Sequence, residues 1–244
     1  GDRSAVSVEL PLLLIPGLIC DARIFTGQTA RFPAALASGG HGRRRSLAAM
    51  ADAILATAPP RFALLGHSMG ARVAIEIWRR APERVDRLAL VSTGTHLPRA
   101  GEAEKRRALL DLGRAKGMAA LVDAWLPPML ASAHRDDPRV AEPLHAMCID
   151  QGVDAYAAQI EALLTRPEID SLLPGITVPA MVAVGEHDGW APPEQHAALA
   201  ARIPGARLHV IPGAGHMLPA EAPDPFNQAI RDWLAAPDPH GETE

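Results

Sequence analysis

Apolar residues alternate along this chain between two patterns. Short, nearly unbroken runs occur at Leu10–Ile15, Phe62–Leu65, Leu88–Val91 and Ala180–Val184, and a looser, alternating one at Leu208–Ile211. Most of them stop near a glycine. Continuous apolar runs closed by turn residues suit strands buried on both faces. Between the runs the spacing becomes helical. Leu47, Met50, Ala51, Ile54 and Leu55 recur on one face, as do Val73, Ala74, Ile77 and Trp78. Strands alternating with helices predict a mostly parallel α/β sheet with helices on its faces.

From Thr95 to Val178 the alternation breaks, and only helical spacing remains. Glu102–Lys116 is charged and amphipathic. Met118–Leu130 carries Leu121, Val122, Trp125 and Leu126, and Val153–Leu164 carries Tyr156, Ile160, Leu163 and Leu164. A helical insertion between two strands of one sheet predicts a cap over the sheet's carboxyl edge, where open α/β sheets place ligands. The expected division is a core of residues 1–94 and 179–236 and a helical cap of residues 95–178. The tail after Leu234, including His240, is expected to fray.

Composition narrows the function classes. The 244 residues are 48% hydrophobic and 21% charged, the balance of a globular chain. The net charge of −4 gives no electrostatic case for nucleic acid or an anionic membrane as partner. The longest apolar stretch, Leu10 to Cys20, contains Pro11, Pro16 and Gly17 and is too short to span a bilayer. Cys20 and Cys148 do not make a disulfide framework. They read as buried free thiols, and a reducing, cytoplasmic setting is the expectation. No spacing suggests a metal or a nucleotide cofactor. Gly39-Gly40-His41-Gly42 is glycine-rich but leads into three arginines rather than a helix, so it reads as a loop.

The strongest chemical signal is Gly66-His67-Ser68-Met69-Gly70, a G-x-S-x-G between an apolar strand and an amphipathic helix. In that setting Ser68 sits on a tight strand-to-helix turn. Gly66 and Gly70 remove side chains where backbones converge. A nucleophilic serine needs a base, and the base an orienting acid. Of the ten histidines, His216 stands best, in the loop after the last run, between Gly215 and Met217. His67 is expected to point away from the nucleophile. His134 and His145 fall in the cap, and His41 in the Gly/Arg stretch. Asp188, after the run Ala180–Val184, is the expected acid, with Glu186 its neighbouring competitor. An oxyanion hole needs two N–H donors. Met69, after the nucleophile, supplies one; Leu18, in Ile15-Pro16-Gly17-Leu18, is the candidate for the other.

These motifs carry a family resemblance over nearly the whole chain. Pro-Gly-Leu at 16–18, Gly-His-Ser-Met-Gly at 66–70, Ala-Pro-Glu-Arg-Val at 81–85, Val-Gly-Glu-His-Asp at 184–188 and Gly-His-Met at 215–217 resemble the α/β-hydrolase superfamily. The similarity is to its capped carboxylesterase-like branch, and the segment 46–70 is similar in style to pimeloyl-carrier methyl ester esterases. The family commonly has a histidine at the position of Pro16 and a glycine at that of Ala71. The resemblance implies a serine hydrolase of small carboxylic esters that needs no cofactor, with Ser68, Asp188 and His216 in the catalytic roles. Trp125, Leu126, Met129 and Met147 are the expected apolar lining of a pocket for short to medium acyl chains. Acyl transfer, lactone or C–C bond hydrolysis and lyase chemistry can use the same triad, and a non-catalytic binding scaffold can keep the pocket.

The family usually places a buried strand between the first helix and the helix before the nucleophile. Here Ala37–Arg45 holds three glycines, three arginines and no β-branched residue. The expectation is a loop and a reduced sheet, with Leu10–Ile15 left as an apolar edge. A homodimer through that edge is the protein partner this reading offers.

Overall fold

A computed structural model describes residues 9–239. Six strands form one parallel sheet: β1 (Leu12–Ile15), β2 (Ala35–Ala37), β3 (Phe62–His67), β4 (Val85–Val91), β5 (Ala180–Gly185) and β6 (Arg207–Ile211). Their order is β2-β1-β3-β4-β5-β6. The chain leaves β1 toward one edge and returns to β3 on the other side. This reversal opens a crevice between the loops that follow β1 and β3, the place where such sheets bind ligands.

Helices α1 (Thr26–Thr29), α2 (Leu47–Thr57) and α3 (Met69–Arg80) precede β4. Helices α4 (Glu102–Lys116), α5 (Met118–Trp125), α6 (Ser132–Arg135), α7 (Pro138–Gln151) and α8 (Val153–Leu164) fill the interval between β4 and β5. Helices α9 (Pro193–Ala201), α10 (Leu218–Glu221) and α11 (Pro223–Ala235) complete the chain. The sequence dictates several of these boundaries. Ser46 caps α2, its hydroxyl accepting the Ala49 N–H at 3.0 Å. Gly117 and Gly152 adopt φ of 95° and 85°, ending α4 and α7 and letting the next helix start at once. β1, β3 and β5 are buried along their whole length, which is why they read as continuous apolar runs.

One expectation needs correction. Residues 38–45 do form a loop, but Leu10–Ile15 is not a sheet edge. β2 pairs with β1 in parallel, Leu12 beside Ala35 and Leu14 beside Ala37. The Leu12 N–H donates to Ala34 O at 3.0 Å and the Ser38 N–H to Leu14 O at 2.9 Å. Alanine and leucine are poor strand signals, and at an edge, pairing with a neighbour outweighs propensity. Leu36 is 49% exposed there, so the open edge is β2, three residues long and easily tolerated. The chain after Leu234 is held as far as Ala236. Arg87 donates to the carbonyls of Trp233, Leu234 and Ala236. His240 lies outside the described residues.

Cys20 and Cys148 are both buried and free. Among the described residues no helix is long and apolar enough to cross a membrane.

Candidate active site

Ser68 stands where β3 becomes α3. Its φ of 57° and ψ of −120° lie in a region that residues with a side chain rarely occupy. Strain of this kind costs about 1–3 kcal/mol and persists only where the surroundings impose it. Here they do. A Cβ on Gly66 would overlap the Gly70 backbone, and one on Gly70 would overlap Ile15 O. Helix α3 can therefore start this close to the sheet only because both positions are glycine. The Ser68 N–H is fixed by Val91 O at 2.8 Å.

A line of hydrogen bonds runs inward from this serine. Ser68 Oγ lies 2.8 Å from His216 Nε2, and His216 Nδ1 lies 2.9 Å from Asp188 Oδ2. The other Asp188 oxygen accepts the N–H groups of Trp190 and Ala191 at 2.9 and 2.8 Å. Burial works to raise the Asp188 pKa. The charge of His216 and these hydrogen bonds outweigh it, and the carboxyl is held below its usual range. Glu186 instead faces His187 at 2.8 Å, and both are half exposed.

The loop carrying His216 is held from three directions. Its N–H donates to Met129 O at 2.8 Å, and its carbonyl meets His67 Nε2 at 2.8 Å. His67 therefore turns under His216 rather than toward Ser68. Burial first, then the charge of His216, pushes its pKa down to about 3, so the ring is neutral. Glu221 supplies the third hold. Oε2 accepts the N–H groups of Gly215 and Met217 at 3.0 and 2.9 Å, on either side of His216. Oε1 accepts the Ala131 N–H and meets His134 Nδ1, both at 2.8 Å. One buried carboxyl thus joins the segment at Ala131–His134 to the histidine loop.

Gly17 sits against Ser68. A Cβ there would come within 3.0 Å of His67 O and 3.1 Å of Ser68 Cβ. Leu18 and Met69 both line the cavity beside Ser68. As the first residue of α3, Met69 has an N–H with no helical acceptor four residues back. The β1 loop is braced by two residues that sequence reasoning passed over. Buried His41 meets Pro16 O through Nε2 at 2.7 Å, and Gln159 of α8 accepts the Ile19 N–H at 2.8 Å while donating to Gly42 O at 3.0 Å. His41 thus reaches the carbonyl of Pro16, where the family commonly has a histidine in the chain, from a separate segment.

The cavity has a volume of about 300 Å³ and contains Ser68 and His216 in its wall. Trp125 and Met129 face it from the cap. Leu126 and Met147 do not. Leu126 lines a separate depression with Pro127 and His145, and Met147 is fully buried. Neighbouring positions on a helix point about 100° apart, and here Trp125 turns to the cavity while Leu126 turns to the other depression. The sequence also missed the cavity's arginines, because none of them belongs to a motif.

A parallel sheet, a serine on a strained strand-to-helix turn and a helical interval between β4 and β5 define an α/β-hydrolase. The chain belongs to the serine aminopeptidase S33 family, whose profile matches residues 45–223. It is 34% identical over 218 residues to "Putative carbamate hydrolase RutD" of Variovorax paradoxus (strain S110), covering 85% of this chain and 78% of that protein. It is 28% identical over 184 residues to the Bacillus subtilis (strain 168) protein named "Putative 2-succinyl-6-hydroxy-2,4-cyclohexadiene-1-carboxylate synthase", covering 71% and 65%. Among solved structures it resembles a thermophilic esterase from Thermogutta terrifontis, described as malate bound, with TM-score 0.85 and 28% identity over 93% of this chain and 90% of that one. The enol-lactonase from Burkholderia xenovorans LB400 matches with TM-score 0.82 and 25% identity over 97% and 94%. The chain is a hydrolase by family.

Proposed function

We propose that the chain cleaves carboxylic esters of short to medium acyl length through an acyl-enzyme on Ser68. The observation that carries this reading is the unbroken line Ser68–His216–Asp188, opening at its serine end into a cavity. His216 Nε2 takes the serine proton as Oγ attacks the carbonyl carbon. Asp188 accepts from Nδ1–H, fixing the tautomer and stabilising the imidazolium. The N–H groups of Leu18 and Met69 receive the developing oxyanion. The tetrahedral species collapses, His216 returns the proton to the leaving alcohol, and water repeats the sequence on the acyl-serine. No step requires a cofactor. A cavity of about 300 Å³ is at the small end for ligand sites, which supports short acyl groups.

The names of the relatives put carbamate and lactone carbonyls beside esters as competing substrates for the same machinery. A panel of p-nitrophenyl esters of increasing acyl length, with an aryl carbamate and an enol lactone alongside, separates them. The ester reading expects fastest turnover on acetate to hexanoate with a pre-steady-state burst. Faster turnover of the carbamate or lactone would replace it. Ser68→Ala should cost on the order of 10⁶ in kcat.

A further inference from the structure

The cavity beside Ser68 is electrostatically unlike the rest of the chain. Its wall carries Arg72, Arg99, Lys105, Arg106 and Arg166 against a single acidic side chain, Glu102, in a protein of net charge −4. Glu102 is already engaged. Arg166 clamps it with two hydrogen bonds of 2.6 and 2.9 Å and also reaches the carbonyls of His96 and Leu163. Arg106 adds a third bond to Glu102, from Nε at 3.0 Å, and its guanidinium stands 5.8 Å from the Trp190 ring.

Arg72 has no such partner. It is 6% exposed, on the first turns of α3, four residues after Ser68 and about 6 Å further along the helix axis. Nη2 donates to His96 O at 2.9 Å, and Nη1 is buried with no acceptor among the described residues. Ser92, at the end of β4 and also in the cavity wall, has a buried Oγ with no partner either. Burial, then the charges of Arg166 and Arg106, pushes the Arg72 pKa down to about 9, against the opposing pull of Glu102. A buried cation with no anion bonded to it is a costly arrangement, and an apolar side chain would fill the space with less penalty. Arg72 and Ser92 both stand in the cavity wall, beside which a bound anion would supply the absent charge.

We propose that Arg72, with Ser92 and Arg106, forms a carboxylate-binding subsite, so that the preferred substrates are esters bearing a free carboxylate a few bonds from the scissile carbonyl. This rests on the ester-hydrolase reading and narrows its substrate class. Arginine suits the task because its planar donors match both oxygens of a carboxylate.

Two matched substrate pairs test it. In the first the charge is on the acyl side: p-nitrophenyl hydrogen glutarate against p-nitrophenyl valerate. In the second it is on the leaving group: 4-acetoxyphenylacetate against its methyl ester. The readout is the ratio of kcat/KM, charged over neutral, which cancels any loss of folded enzyme. The wild type should favour the charged member of at least one pair tenfold or more. Arg72→Met and Arg106→Gln should each bring that ratio toward one, and Arg106→Lys should keep most of it. Ratios near one for the wild type in both pairs, or ratios unmoved by both variants, would overturn the subsite while leaving the hydrolase reading in place. If none of the four esters is turned over, the hydrolase reading fails instead. Calorimetry of monomethyl glutarate with Ser68→Ala protein then decides the subsite alone. Binding that Arg72→Met abolishes supports it, and no binding overturns it.

Discussion

Replacing Glu221 by glutamine should damage both stability and turnover, and the structure sets the scale. The side chain is fully buried and accepts from four donors: three backbone N–H groups and His134. An amide keeps one acceptor oxygen and turns the other end into a donor. If the amide nitrogen faces Gly215 and Met217, two N–H groups lose their acceptor and meet a donor. In the opposite orientation Ala131 and His134 do. Hydrogen bonds to a charged acceptor contribute about 1.5–3 kcal/mol each, and donors left buried without partners add to the loss. The expected destabilisation is about 3–5 kcal/mol, read as a shift of the urea midpoint at constant m. Gly215 and Met217 flank His216, so kcat should fall further than folded fraction accounts for, with KM little changed. A midpoint within about 1 kcal/mol of wild type and kcat within threefold would refute the argument that this carboxyl organises the histidine loop.

Three further outcomes follow from the site. Asp188→Asn should lower kcat by on the order of 10⁴, whereas Glu186→Gln should leave it within a few-fold; matched kinetics on one aryl ester check both. Burial lowers the pKa values of His41, His67 and His196, so the unfolded chain takes up protons below about pH 6.5 that the folded chain refuses. Stability should fall as pH drops below that value, by up to about 1.4 kcal/mol per pH unit for each such histidine. Asp188, held low, adds a loss in the same direction only as pH falls through the carboxylate range. Thermal melts from pH 7.5 to 5 test this, and a flat profile would contradict it. Gln159→Leu removes the acceptor for the Ile19 N–H and should lower kcat through a loosened oxyanion loop, with the profile against acyl length unchanged.

The strands read most plainly from the sequence are those buried on both faces, while β4 was legible from a shorter run and the exposed β6 from alternation. β1, β3 and β5 have no solvent side to interrupt the apolar run. β2 was not legible, because an edge strand of three residues needs neither branched side chains nor a continuous run. Ser68, Asp188 and His216 were legible as candidates because each follows a different strand in a glycine-rich turn. What holds them was not. His41 acts on Pro16, Gln159 on Ile19, and Glu221 on Ala131, across separations of 25, 140 and 90 residues. Nothing local in the sequence marks such pairs. Arg72 is a stronger case. On the helical pattern it is one more charged residue of an amphipathic helix, and only the fold shows that this position is buried and one of its donors unpartnered. The apolar pocket expected from Leu126 and Met147 failed for a related reason. Hydrophobicity in a cap marks burial, not which void a side chain faces.

The measurement closest to the central claim is rapid acid quench of the protein with excess p-nitrophenyl butyrate, followed by mass spectrometry of its peptides. One butyryl group is expected, on the peptide containing Ser68, formed at the rate of the p-nitrophenol burst and absent from Ser68→Ala protein. Turnover by the wild type with no acylated Ser68, or a burst that survives in Ser68→Ala, would contradict it.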